Sequence, residues 1–139
     1  MIRRSTALLA VLLAIGTLWA LPALAQDDAE ITERGQALTT AFYAGELDEI
    51  VEGFDDQMGE MIPDVAALEG FRDQILGTFG DESEVLGEEV HDIPGHRIYR
   101  RTVRFENTPE NPMDVIWGFD EEGRISGFSV QPVQGTDTE

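Results

Sequence analysis

The hydrophobic period of this chain changes once, near Gly80, and that change decides what it can fold into. Before it, apolar side chains recur at helical spacing. Ile31, Leu38 and Phe42 share one face of a helix predicted over 28–44, with Ala37 and Ala41 beside them and Gly45 as its stop. Leu47, Ile50, Val51 and Phe54 follow at the i, i+3, i+4, i+7 spacing of a second, short helix. Met58, Met61 and Ile62 fall in a connection before Pro63. Asp64 can accept hydrogen bonds from the free backbone N–H groups of a third helix, in which Leu68, Phe71, Ile75 and Phe79 line one side up to Gly80.

Beyond Gly80 the period is two. Strands are predicted over 85–93, with Gly87 a bulge position, and over 96–106, where Tyr99, Val103 and Phe105 alternate with Arg100, Thr102 and Arg104. Met113, Val115, Trp117 and Phe119 alternate with Asp114, Ile116 and Gly118 in a third strand, and a fourth covers 124–130. Pro94-Gly95 and Asp120-Glu121-Glu122-Gly123 carry turn chemistry, Gly123 suiting a left-handed position. Helices first and antiparallel strands afterwards define an α+β domain: three N-terminal helices packed on one face of a curved four-stranded antiparallel sheet. Val103, Val115, Trp117 and Phe128 are expected on the buried side.

The segment ahead of this domain reads as an address. Arg3 and Arg4 precede an apolar run from Ala7 to Leu21, and Ala23-Leu24-Ala25 sets small residues before the polar Gln26-Asp27-Asp28. That is the pattern of a secretory signal peptide cleaved after Ala25. The run is short of the roughly 20 apolar residues a membrane span needs. The expected product is exported, periplasmic or extracellular, with no membrane attachment after cleavage. The organisation is then a signal at 1–25, a polar leader at 26–30, a domain at 31–131 and an acidic tail at 132–139 expected to be disordered. Cleavage removes 25 of 139 residues and leaves 114, enough for one domain.

Charge and cysteine content narrow the function. All 28 acidic residues and seven of the nine arginines lie beyond Ala25, there is no lysine, and the product carries a charge of −21 with histidine neutral. A field of that sign repels nucleic acid and anionic membrane surfaces. With no cysteine, thiolate metal sites, thiol nucleophiles and redox pairs are excluded.

Three stretches resemble a known family. Phe42-Tyr43-Ala44-Gly45-Glu46-Leu47 with Ile50-Val51 and Phe54-Asp55, Gly70-Phe71, and the run from Phe119 through Asp120-Glu121-Glu122-Gly123-Arg124-Ile125-Ser126-Gly127 to Phe128 are similar to the signatures of one bacterial family. It is a family of domains of unknown function in the cystatin-like, nuclear-transport-factor-like superfamily. The resemblance covers roughly residues 31–131 and implies a cone-shaped α+β fold. It also implies occurrence alone behind a signal peptide or on the N-terminal side of secreted serine hydrolases. The superfamily hosts isomerases, hydratases and non-enzymatic binding domains, so the resemblance leaves function open.

Few residues could carry chemistry. Ser83, Ser126 and Ser129 sit in no nucleophile elbow. His91 and His96 with Glu88, Glu89 and Asp92 offer only a weak cation site, read as surface residues; no metal, cofactor or catalytic residue is assigned. Superfamily isomerases place a Tyr and carboxyl groups in the mouth of the cone, which singles out Tyr43 and Asp114. Strand parity turns Asp114 away from that pocket. Arg101 is the residue that breaks the pattern, since parity sets it between Tyr99 and Val103 on the helix-facing side. A symmetric loop at 107–111 places Arg101 opposite Trp117 with Ser126 alongside. Two readings of Arg101 follow. It stacks on Trp117 and pairs with a helix carboxylate such as Asp73, or it anchors a small anionic or carbonyl-bearing ligand. The expected ligand-binding set is Arg101, Trp117, Ser126 and Tyr43.

The opposite face carries Arg100 and Arg104, with Asp114 expected across from Arg104. It also carries Ile98, Ile116 and Ile125 with Gly118 and Gly127, an apolar patch that a homodimer seam would cover. The leading functional expectation is a non-enzymatic exported domain that binds a small molecule or a protein. The alternatives are a cofactor-free isomerase or hydratase working in the cone, and a structural accessory of a secreted hydrolase.

Overall fold

Residues 27–134 are described by a computed structural model of the chain; the signal segment, its cleavage site after Ala25 and residues 135–139 lie outside them. The element order is α1 (Asp28–Ala44), α2 (Asp48–Glu52), α3 (Asp56–Met61), α4 (Val65–Phe79), then β1 (Glu82–Ile93), β2 (His96–Phe105), β3 (Met113–Asp120) and β4 (Ile125–Pro132). The strands form one antiparallel sheet in the order β1-β2-β3-β4, so the domain is α+β with its helices N-terminal to the sheet.

Each helix begins where a side-chain acceptor is available, except the shortest. Asp27, Asp55 and Asp64 accept the backbone N–H of Glu30, Met58 and Ala67 and start α1, α3 and α4. Gly45 ends α1 at φ 80°, a left-handed conformation only glycine adopts without strain. The terminal carbonyls of α1 are taken up by α4: Arg72 donates Nε to the carbonyl of Phe42 at 2.8 Å and Nη2 to that of Tyr43. The helices number four, not three. The stretch read as a connection before Pro63 contains α3, one short turn-and-a-half that buries only Met58 and so leaves no apolar stripe to read.

The core lies between helices and sheet. Trp117 stacks on Phe128 with ring centroids 4.0 Å apart, and Phe42 meets both rings edge-on. Phe71 of α4 packs on Phe128, and Phe79 lies against Phe105. Val103 and Val115 are buried in the same layer, as parity requires. Gly35 lets α1 approach the sheet closely, because a Cβ there would fall 2.2 Å from the Tyr99 ring. The segment between α2 and α3 joins the far end of the sheet: Asp55 N–H donates to Ile125 and Ile125 N–H to Gly53, at 2.9 and 2.7 Å.

Two register features differ from a regular meander. Tyr99, not Arg101, lies opposite Trp117, and Arg101 faces Val115. The loop after β2 is not symmetric, because Glu106 and Asn107 donate back to Asp81 and Phe79 and hold the chain on the β1 side past the end of β3. A shift of two residues keeps every side chain on its expected face. In β4, Gly118 pairs with Gly127 while Phe119 pairs with Ile125, so Ser126 is an extra, bulged residue. The bulge inverts parity at the start of β4. Ile125, expected on the outer face, is buried in the core. The irregularity expected at Gly87 is present, with a second near Ser83. The fourth strand runs to Pro132, two residues beyond the expected end at 130 and into the first position of the expected tail.

Candidate functional site

The structure separates the four residues expected to bind together. Arg101 and Tyr43 share one cluster; Trp117 and Ser126 are elsewhere. Trp117 is fully buried and donates Nε1 to the Thr39 hydroxyl of α1 at 3.0 Å, while Thr39 donates to the Gly35 carbonyl. The bulge carries Ser126 to the opposite face, where its hydroxyl lies 3.0 Å from His96 Nδ1. Arg101 neither stacks on Trp117 nor pairs with Asp73. Its partners are on β1: Nε donates to Glu82 at 2.9 Å and Nη1 to Glu88 at 3.1 Å.

The two β1 bulges explain how one guanidinium reaches both. Glu82 and Glu88 are six positions apart, yet their partners Phe105 and Arg101 are only four apart. At about 3.3 Å per residue a regular strand would hold the two glutamates roughly 20 Å apart. Glu88 also accepts from the Tyr99 hydroxyl at 2.6 Å and from Gln36 of α1 at 2.9 Å. Burial alone would raise the Glu88 carboxyl, but these hydrogen bonds and Arg101 outweigh it and hold it below its ordinary range. Burial, then the neighbouring Glu88 carboxylate, pushes the Tyr99 phenol up. Tyr43 is pushed up too, by burial first and then by Glu82, which its hydroxyl faces. That hydroxyl and Glu82 Oε2 are both buried and neither completes a hydrogen bond of normal geometry. The cluster is a network of paired charges in which Arg101 commits Nε and Nη1 to two carboxylates.

The same pairing continues along the hairpin. Arg97, Arg100 and Arg104 bond to Asp92, Glu89 and Glu84, each opposite its partner on β1. Counting outward from Pro94-Gly95 would have placed Glu88 opposite Arg101 from the sequence. That acid-rich strand facing an arginine-rich strand was the available signal.

The outer face, away from the helices, holds a second polar set. Gly87, Thr102, Asp114 and Gln131 stand side by side across all four strands. They floor a groove of about 370 Å³, with Glu89, Arg100, Val133 and Gln134 on its walls. Asp114 lies opposite Thr102, not Arg104. It is 4% exposed, and one carboxylate oxygen accepts the Thr102 hydroxyl at 2.6 Å. The other is 3.8 Å from Arg100 Nε, too far for a hydrogen bond, and that Nε is itself buried without a partner. Parity did turn Asp114 from the helices, but into this groove.

Among the described residues no three His, Asp or Glu side chains gather as metal ligands. His96 is engaged with Ser126, Asp92 with Arg97, and Glu88 with the inner network. No helix among the described residues is long and apolar enough to cross a membrane. Comparison with family models, curated proteins and solved structures finds no match.

Proposed function

We propose that this chain is an exported, non-enzymatic binding domain of cystatin-like type, and that it binds a small ligand on the outer face of its sheet. Helices followed by a four-stranded antiparallel meander support the cystatin-like assignment. The Arg3-Arg4 start and the Ala23-Leu24-Ala25 site support export. The observation that carries the binding reading is Asp114, a nearly buried carboxylate at the floor of a polar groove that no described residue covers. A charge so placed is costly to hold in a fold unless it is fully paired, and one Asp114 oxygen has only a loose contact with Arg100 at 3.8 Å. Against a ligand or a reaction inside the cone stand the packed rings of Phe42, Phe71, Trp117 and Phe128, and an Arg101 already committed to two carboxylates.

Amide-resolved NMR of the exported protein against a mixed library of charged and neutral fragments tests this. The signals of Gly87, Thr102, Asp114 and Gln131 are expected to respond together. Responses confined to Tyr43, Arg101 and Trp117 would move the site into the cone and overturn the reading. So would sedimentation showing a stable dimer that buries Ile98 and Ile116. Mass spectrometry of the same material is expected to find Gln26 at the N-terminus; an intact Met1 on exported protein would refute the cleavage.

A further inference from the structure

We infer that the outer groove selects a small organic cation, an amine or guanidinium that donates N–H to Asp114. The inference rests on the binding reading above and adds the ligand's charge and chemistry. The groove has two kinds of polar group. Some are already engaged: Arg100 Nη1 donates to Glu89 at 2.9 Å, although its buried Nε, 3.8 Å from Asp114, has no partner, and the Glu88 carboxylate is turned inward to Tyr99 and Arg101. Others wait for a partner. Among the described residues no donor reaches the second Asp114 oxygen within hydrogen-bonding distance, and the side chains of Gln131 and Gln134 make no hydrogen bond.

The sign of the ligand follows from counting these charges. Arg100 is shared between Glu89 at 2.9 Å and Asp114 at 3.8 Å, so one cation faces two carboxylates and the three groups sum to −1, within a chain whose net charge is −19. A negative field and a carboxylate acceptor draw in and orient a cationic donor, and repel a carboxylate or phosphate. The shape agrees. Gly87 presents no side chain opposite Thr102, and a Cβ there would meet nothing within 4 Å, so among the described residues the groove is open beside the Asp114 row. The free amides of Gln131 and Gln134 lie on the β4 side to receive polar groups at the ligand's other end, and Val133 offers apolar contact. A hard metal ion is less well served, because it takes six or more oxygens and the floor supplies one carboxylate, one hydroxyl and one amide.

The test is an NMR titration of the full exported chain with agmatine and putrescine as cationic probes, succinate as the anion and xylitol as the neutral polyol. The expected result is a saturable one-to-one shift of the Gly87, Thr102, Asp114 and Gln131 amides with the cations alone. Asp114→Asn should weaken that binding at least tenfold, and Gln134→Ala, at the groove rim, several-fold with an unchanged spectrum elsewhere. Glu69→Gln, which removes the same charge from α4, should leave it unchanged. If both charge variants weaken the cations equally and the shifts spread over the whole surface, the response is general attraction and the inference is overturned. If succinate or xylitol saturates the groove instead, the groove is a binding site but not for a cation. If no probe moves the groove signals, the inference and the binding reading fall together.

Discussion

At Arg101 a single side chain pairs with two carboxylates, and the Glu82 side chain it holds is only 10% exposed. Arg101→Leu is therefore expected to destabilise the domain by about 3 kcal/mol, since it strands a buried charge. Adding Glu82→Leu should recover most of that loss, because removing both partners of a buried pair is close to neutral. Urea melts of the two variants check this, and equal losses in both would contradict the pairing. Tyr43 makes the opposite case. Its hydroxyl is buried without a completed hydrogen bond, so Tyr43→Phe should be neutral or stabilising by about 1 kcal/mol. A loss of comparable size would show that the hydroxyl holds Glu82 after all.

Glycines in helices distinguish packing from propensity at the scale of elements. Gly35 of α1 has the Tyr99 ring where a Cβ would be, whereas Gly70 of α4 has nothing within 4 Å. Gly70→Ala should stabilise by about 0.5–1 kcal/mol through helix propensity. Gly35→Ala should destabilise by about 1–3 kcal/mol despite the same propensity gain, because the overlap is with a core ring. Thermal melts read both, and a stabilising Gly35→Ala would mean that α1 sits farther from the sheet. The long elements were legible because their stripes are. α1, α4 and the cores of β2 and β3 each repeat an apolar period over several turns or pleats. α3 was not, since six residues burying one methionine carry no period, although its capping Asp55 stood in plain view. The Ser126 bulge was also hidden, because parity counting assumes no inserted residue, and it moved Ile125 and Ser126 to faces opposite those expected. The groove depends on an absent side chain at Gly87 and on three ladder registers at once, none of which a linear pattern states.

For the molecule as a whole, pH acts from both ends. Glu88 and Asp120 titrate below their ordinary values: burial opposes this, and Tyr99 and Gln36 for Glu88, or the Arg124 and Glu122 backbone for Asp120, outweigh it. Their stabilisation is complete above the ordinary carboxylate range and is lost as pH falls through the folded values. Tyr43 and Tyr99 titrate above their ordinary 10.0, so their stabilisation is complete below that pH and is lost as pH rises beyond it. Urea midpoints measured across pH are expected to hold a plateau between about pH 6 and 9 and to fall on both sides. Tyr43→Phe should make the alkaline fall shallower; an unchanged alkaline limb would remove Tyr43 from it.

The bonds between the α2–α3 segment and Ile125 bear on the order of events during folding. Gly53 and Asp55 are tied to a strand made near the end of the chain, and Arg34 of α1 bonds to the Gly123 carbonyl 89 residues away while its guanidinium lies over the Phe119 ring. A chain made or threaded from its N-terminus delivers all four helices before any of these partners exists. The helices must then wait as a loose set until the β3–β4 hairpin arrives, and closure comes late and all at once, with the slow kinetics of distant contacts. A chain ending at residue 122 would hold every helix and three of the four strands, and it should still fail to fold.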